Sequence, residues 1–417
     1  MPPLIPHVLF HTFHYDLIKD SNYKDIYNQA RGSWLEKRTA IAFKKLFPQN
    51  EILLNPKYPD GKELADVLIL HDRKIFIIQC KAKQLTYEAK IGEDIKILKR
   101  DLEKGIKDSF NQAVRARDYI NNNTLPQILT FYGITKIIDR KQVTDIFLIS
   151  VTLGFYQCLA TRLANINPAL KLFKDNEYPW AISLFDLEII TELIDYPSQF
   201  IHYVKRRLEI EQTHFKLIAA DEIDLLGFYF NQGLYFKTDE WREPDWVSLR
   251  GFSKDIVRYM IEKYELKKEV EKPKQKMPPG FEEYIVSLEK LSSAYKTDCI
   301  MRLLDLPYRA RELFVNKAKQ AKEKTKIDGS LYNFYVVMKN LSCGFSFTSM
   351  DANGNIEELF RLVRNFAVMI KHRKKCKDWV ALGWDVNSEN KVDVAIFISY
   401  DWFDDPAMNE ISNKFLQ

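Results

Sequence analysis

Leu64 to Leu70 and Ile75 to Lys81 are two apolar, β-rich runs separated by the polar His71-Asp-Arg-Lys74. The pattern predicts a β-hairpin whose strands are apolar on both faces, as in a sheet covered on each side. Upstream, Ser33 is placed to N-cap a helix from Trp34 to about Phe47, with Trp34, Leu35, Ile41, Ala42, Leu46 and Phe47 on or near one face and Pro48 as its stop. Tyr58-Pro-Asp-Gly61 has the chemistry of a turn, with Pro second and Gly fourth. After the hairpin, Asp94 to Ile120 predicts a long Lys- and Arg-rich helix that Asn121-Asn-Asn-Thr124 ends. Val143 to Val151 and Trp180 to Phe185 predict strands, and Leu187 to Ile194 is amphipathic.

Helix, hairpin, helix, strand, strand and helix in that order predict a mixed α/β layer around one sheet, over residues 31–195, behind a lead-in at 1–30 without clear periodicity. Residues 196–262 turn mainly helical, with Gly233 placed as a C-cap. The run 263–280, KYELKKEVEKPKQKMPPG, carries six lysines, three glutamates and three prolines and reads as a linker or exposed loop. Residues 281–417 predict a second, α+β unit. In it, helical stretches precede strands at Tyr332 to Met338 and Gly344 to Ser349, a helix covers Asn355 to Lys371, and Trp379 to Asp385 pairs with Val392 to Tyr400.

Composition narrows the class without naming it. Over 417 residues, 46% hydrophobic and 13% aromatic content excludes a disordered or collagenous chain, and a net charge of +5 is too mild to call for nucleic acid by itself. The longest apolar stretches are far shorter than the roughly 18 residues of a membrane span, and MPPLIPHVLFHTFHYD has no basic residue ahead of its apolar ones, so no membrane partner and no signal peptide are expected. Five scattered cysteines without a CxxC fit a reducing cytoplasm.

The hairpin carries the chemistry. With its turn centred between Asp72 and Arg73, paired residues have numbers summing to 145, so Asp66 lies opposite Gln79, and Lys81 shares their face while Cys80 points away. A carboxylate, an amide and an ammonium at the end of two oily strands are costly to bury, so that end must be polar, solvated or metal-bound. Asp66 and Gln79 offer hard oxygen donors of the kind Mg²⁺ takes alongside water and phosphate, and Lys81 is placed to steer a water or neutralise charge on a phosphate under attack. Glu36, on the preceding helix, is a further acidic ligand. The plainer reading of the same residues is a salt bridge between Asp66 and Lys81 at a sheet edge.

Glu36, then Asp66, then Gln79-Cys80-Lys81, on helix, strand and hairpin strand, resembles the PD-(D/E)xK restriction-endonuclease-like superfamily. The similarity is closer to its Mrr-like and NERD (nuclease-related domain) branches, where the middle acid is commonly Gln and a Gln on the following helix supports the site, here Gln112. The resemblance implies metal ligands at Asp66, Gln79 and Glu36, the catalytic lysine at Lys81, Mg²⁺ or Mn²⁺ as cofactor, and a DNA endonuclease of microbial defence or restriction type. Pro59-Asp60 is a PD pair six residues before Asp66, but it sits in the turn, so Asp66 takes the ligand role. The neutral Gln79 lowers the charge of the ligand set.

Lys83, Lys104, Lys107 and Arg115, among further basic residues at Lys96, Lys99, Arg100 and Arg117, are candidates for contact with a phosphate backbone; interleaved acids make a solvated helix face the alternative. Lys371-His-Arg-Lys-Lys375 is a denser basic cluster, His372 with Cys376 stands at i, i+4, and His7, His11 and His14 lie at helical spacing. None of these histidines belongs to a recognisable metal pattern. The expected function is a metal-dependent nuclease with DNA favoured over RNA. The alternatives are a catalytically silent nucleic-acid-binding or scaffold protein, and an effector subunit that a protein partner activates through the C-terminal half, where a homo-oligomer contact is also placed.

Overall fold

A hairpin that is apolar on both faces must be covered on both faces, and helices do so here. The computed structural model describes residues 23–92, 94–236, 246–338 and 342–414, which form a mixed α/β protein of two units, Met1–Gln275 and Lys276–Gln417. The histidines at 7, 11 and 14 lie outside the described residues. Among the described residues no helix is long and apolar enough to cross a membrane.

The first unit opens with α1 (Lys24–Phe43) and β1 (Ile52–Leu54), followed by the hairpin strands β2 (Val67–His71) and β3 (Lys74–Lys81). The hairpin pairs Val67 with Ile78, Leu68 with Ile77 and His71 with Lys74, the register its turn chemistry implies. Next come α2 (Ile95–Leu102), a π turn (Glu103–Lys107) and α3 (Asp108–Asn122), the expected long helix with one wide turn in it. A small hairpin, β4 (Gln127–Leu129) with β5 (Thr135–Ile137), precedes β6 (Asp145–Thr152) and β7 (Trp180–Ser183). The sheet order is β1-β2-β3-β6-β7, antiparallel as far as β3 and parallel from β3 to β7. The α2–α3 crossover is what a parallel β3–β6 pair requires.

The alternation of strand side chains decides what each face meets. Leu68, Ile75 and Ile77 pack with Leu102, Ile106, Phe110 and Ala113 of the crossover. On the other face Phe76 lies 5.6 Å from Phe47 and 4.9 Å from Phe147, ring centre to ring centre.

Ser33 is not an N-cap: α1 begins nine residues earlier, at Lys24. Its first turns lack an apolar stripe because a polar contact holds them, Arg31 Nη2 donating to the Ala82 carbonyl at 2.7 Å. Leu35, Ala42, Leu46 and Phe47 are buried as expected and Phe43 is buried with them, whereas Trp34 and Ile41 face solvent.

Gly105 lies inside the π turn, where the lack of a side chain admits Tyr156 against the backbone. A Cβ there would lie 2.1 Å from Tyr156 Oη, whose hydroxyl is itself directed at the Lys83 carbonyl 3.3 Å away. Gly105→Ala is therefore expected to destabilise the protein by about 1–3 kcal/mol through overpacking, read as a lowered melting temperature; unchanged melting would show that the crossover shifts freely.

Beyond β7, α4 (Leu184–Leu193), α5 (Pro197–Glu211) and α6 (Glu222–Gln232) complete the first unit with the parallel pair β8 (Lys216–Ala219) and β9 (Trp246–Leu249). The boundary between units falls inside the expected linker, yet that run is held to the first unit. Lys263 and Lys272 pair with Glu192 and Asp195, and Gln275, which is buried, accepts from Gln199.

The second unit sets three helices (Phe281–Glu289, Lys296–Leu304, Tyr308–Asp328) before the sheet β10 (Tyr332–Met338), β11 (Cys343–Met350), β12 (Asp378–Asp385) and β13 (Val394–Ser399). The strands run in that spatial order, and the helix Ile356–Lys374 crosses from β11 to the parallel β12. The basic cluster at the end of this helix is divided, with Lys371 and His372 buried and Arg373, Lys374 and Lys375 exposed. Lys371 is buried and donates to the Tyr400 carbonyl at 3.0 Å, Lys375 lies over the Trp402 ring, and His372 Nε2 is 2.9 Å from Asn409 Oδ1. His372 and Cys376 are thus used in packing.

Candidate active site

The polar end of the hairpin is assembled by backbone pairing. Asp66 immediately precedes β2, at the level of Gln79, and its Oδ2 accepts the Cys80 N–H at 2.5 Å. Asn55, at the end of β1 with a left-handed φ of 48°, donates its N–H to the Asp66 carbonyl at 2.9 Å and its side-chain amide to Glu36 Oε2 at 3.4 Å. The bend at Asn55 thereby brings the helix acid to the sheet. Gln79 donates through Nε2 to the Leu64 carbonyl at 3.3 Å, while its buried Oε1 has no hydrogen-bond partner. Lys81 Nζ donates to Gln112 Oε1 on α3 at 2.7 Å. Among the described residues no ion pair joins Lys81 to Asp66, so the simple salt bridge does not form.

Burial pushes the Asp66 carboxyl up to about 8; the Cys80 N–H opposes this, and a hydrogen bond with Glu63 and the charges of Glu63 and Glu36 add to it. Glu36 is also raised, chiefly by burial, with Asn55 pulling down and Glu63 pushing up. Glu63 is the site residue that sequence reasoning missed. It sits in the loop between the Tyr58 turn and β2, three positions before Asp66, where strand periodicity gives no signal. Pro59-Asp60 is solvent-facing, and Asp60 is occupied with Lys62 at 2.9 Å.

Three carboxylates, one ammonium and an orphaned amide oxygen thus meet at the end of the central hairpin. Burial raises the Asp66 pKa and the neighbouring carboxylates add to it, and the orphaned Gln79 oxygen is a donor that would gain from a cation. The three carboxylates are not close enough to one another to make a metal-holding set by themselves: among the described residues no group of three or more His, Cys, Asp or Glu side chains is so arranged.

Of the four candidate phosphate contacts, Lys104 and Arg115 face solvent. Lys83 is instead tied to the buried Asp101 at 3.1 Å, and Lys107 pairs with Glu103 at 3.2 Å. Burial pushes the Asp101 carboxyl up, but hydrogen bonds from Thr86 and Lys83 outweigh it and hold it below its ordinary range. Lys83 and Asp101 together fasten the segment after β3 to the crossover helix. Arg117 is likewise engaged, with Glu177 and Asp118.

The chain matches no family model, no curated protein and no solved structure.

Proposed function

We propose that the first unit is a metal-dependent phosphodiesterase acting on nucleic acid, with DNA as the favoured substrate. The observation that carries this reading is the meeting of the Asp66 carboxylate and the unpartnered Gln79 Oε1 with a lysine held in place by Gln112. Asp66, Gln79 and Glu36, with Glu63 beside Asp66, would hold Mg²⁺ or Mn²⁺, which when bound supplies a Lewis acid to the phosphoryl oxygens. The protein's own share is definite. The Cys80 N–H orients the Asp66 carboxylate, Asn55 orients Glu36, and Gln112 aims the Lys81 ammonium at the charge that develops on the attacked phosphate. Lys104 and Arg115 are placed to follow the backbone. The five free cysteines suit a reducing compartment such as the cytoplasm.

The test is cleavage of supercoiled plasmid, linear duplex, single-stranded DNA and RNA with Mg²⁺, Mn²⁺ or EDTA. Lys81→Ala is expected to lower metal-dependent cutting by about 100-fold or more, in the range found for removing one group that stabilises transition-state charge. Gln112→Ala, which frees the ammonium without removing it, is expected to cost less. Cutting that survives Lys81→Ala unchanged refutes this site.

A binding protein without turnover is the second reading, favoured by the lack of a third acid in the place of Gln79. It predicts nucleic-acid binding, no cutting with any metal, and no effect of Lys81→Ala on a biological readout.

A further inference from the structure

The small hairpin β4–β5 carries a cluster of rings and aliphatic side chains that the fold leaves in solvent. Phe131 is 72% exposed, Tyr132 85%, Ile134 64% and Ile137 62%, an unusual concentration for one five-residue turn and its flank. The hairpin itself is well anchored. Ile128 and Ile138 are buried in the core, and the turn is closed by Gly133 N–H to the Thr130 carbonyl at 2.9 Å and Thr130 N–H to the Ile134 carbonyl at 2.8 Å. The two rings stand edge to face, 5.6 Å apart. A rigid support with its apolar tip held out in water calls for an occupant.

Backbone register places this tip beside the candidate active site. Lys57 pairs antiparallel with Glu63 on one side and with Leu129 on the other, through N–H to carbonyl bonds of 2.8 and 2.9 Å to Leu129. Leu129, the last residue of β4 before the turn, therefore stands two strand spacings from Glu63, about 10 Å, with Lys57 between them. Glu63 is the neighbour of Asp66 in the candidate site. That is within a few nucleotides along a strand whose phosphate lies at Asp66, at about 3.4 Å or more per nucleotide. Lys57 and Arg115, both solvent-facing, flank the approach and complement a phosphate backbone.

We infer that Phe131 and Tyr132 form a stacking platform for an unpaired base next to the scissile phosphate, so that the substrate is single-stranded or locally opened DNA. This rests on the proposed nuclease reading for its scissile phosphate and on the hairpin geometry for everything else. Aromatic stacking tolerates any base, which fits a site without a base-reading helix.

The experiment uses the full chain carrying Lys81→Ala, so that nothing is cut, and oligonucleotides with 2-aminopurine as single strand, as a bubble in duplex, and as matched duplex. The expected result is quenching of the probe in the single strand and bubble, and at least about a 10-fold loss of affinity for both on adding Phe131→Ala with Tyr132→Ala, since each stacked base contributes that much. Matched duplex should change by less than about 2-fold on the same scale. Phe131→Trp should retain tight binding and have its own fluorescence quenched by the strand, a control that does not depend on removing the rings. Equal losses on all three ligands, no loss on any, or no binding of nucleic acid by the parent overturn the platform. So does a dimer that the double substitution converts to monomer while nucleic-acid binding stands, which would make the tip a contact between copies. Ring-dependent binding together with a wild-type chain that never cuts with any metal sustains the platform and refutes the nuclease, whereas metal- and Lys81-dependent cutting by the wild type that is indifferent to both rings does the reverse.

Discussion

Asp66→Asn is expected to abolish the proposed metal-dependent cleavage and at the same time to stabilise the protein at neutral pH. The buried carboxyl titrates near 8 against an ordinary 3.8, so between those values the native state holds a proton that the unfolded state releases. Stability must then fall as pH rises through that window, by roughly 1.4 kcal/mol per unit while the difference in proton binding is complete. The contribution is fully present below the unfolded value and is lost as pH passes the folded one. Asparagine keeps an oxygen for the Cys80 N–H and offers Glu63 a permanent donor, so it removes the pH dependence without emptying the site. At pH 8 the variant is expected to exceed the wild type by a few kcal/mol, the order that such a shift implies. Melting temperatures of both proteins from pH 5 to 8, with and without Mg²⁺, measure this directly. Added cation should raise the wild type at pH 8 and leave the variant unmoved. Parallel pH profiles for the two proteins would mean that Asp66 is ionised in the native state without penalty, and the electrostatic account of the site would fail.

Glu222→Ala has the largest expected cost to folding. Glu222 is buried and gathers three donors on one carboxylate: Trp180 Nε1 at 2.9 Å from β7, Tyr203 Oη at 2.6 Å and Arg207 Nε at 3.1 Å, both from α5. Arg207 is equally enclosed and continues the network to Glu211 at 3.4 Å and to the Thr161 carbonyl. Removing the carboxylate strands a buried guanidinium with only Glu211 for charge compensation and leaves an indole N–H and a phenol without their acceptor. Breaking such a buried pair costs about 3–5 kcal/mol, which in a unit of this size lowers the melting temperature by roughly 10 °C. Glu222→Gln, which keeps one acceptor oxygen, should lose less. A loss below about 1 kcal/mol for the alanine variant would show that water replaces the carboxylate, and that α5 and α6 are fastened to the sheet by their apolar faces alone. The same cluster explains why the helical stretch after residue 195 belongs to the first unit. Glu222 takes the Trp180 indole of β7, and Arg207 ties Glu222 to Glu211.

How much of the candidate site could be read in advance depends on the range of the interaction behind it. The hairpin register, and with it the shared face of Asp66, Gln79 and Lys81, followed from the period-two strand pattern and a four-residue polar turn, both local. The strands of the second unit and its crossover helix were legible for the same reason. The start of α1 was not, because its first turns are held by Arg31 reaching the Ala82 carbonyl, a contact between positions far apart in the chain. β1, β4 and β5 span three residues each, too few for a periodic signal, and exist because their neighbours offer open backbone edges.

The sequence by itself determined the mixed α/β class, the hairpin and its register, and the order of the residues that could do chemistry, since all of these rest on short-range alternation and turn preference. Only the tertiary structure decided that Glu63 meets Asp66, that Lys83 is spent on Asp101, that Gln112 holds Lys81, and that Lys57 bridges β4, at the base of the aromatic tip, to Glu63. Those outcomes depend on which segments pack side by side and on how far each charge is withdrawn from water. Burial and proximity of that kind belong to the folded chain, and no local pattern of residue types encodes them.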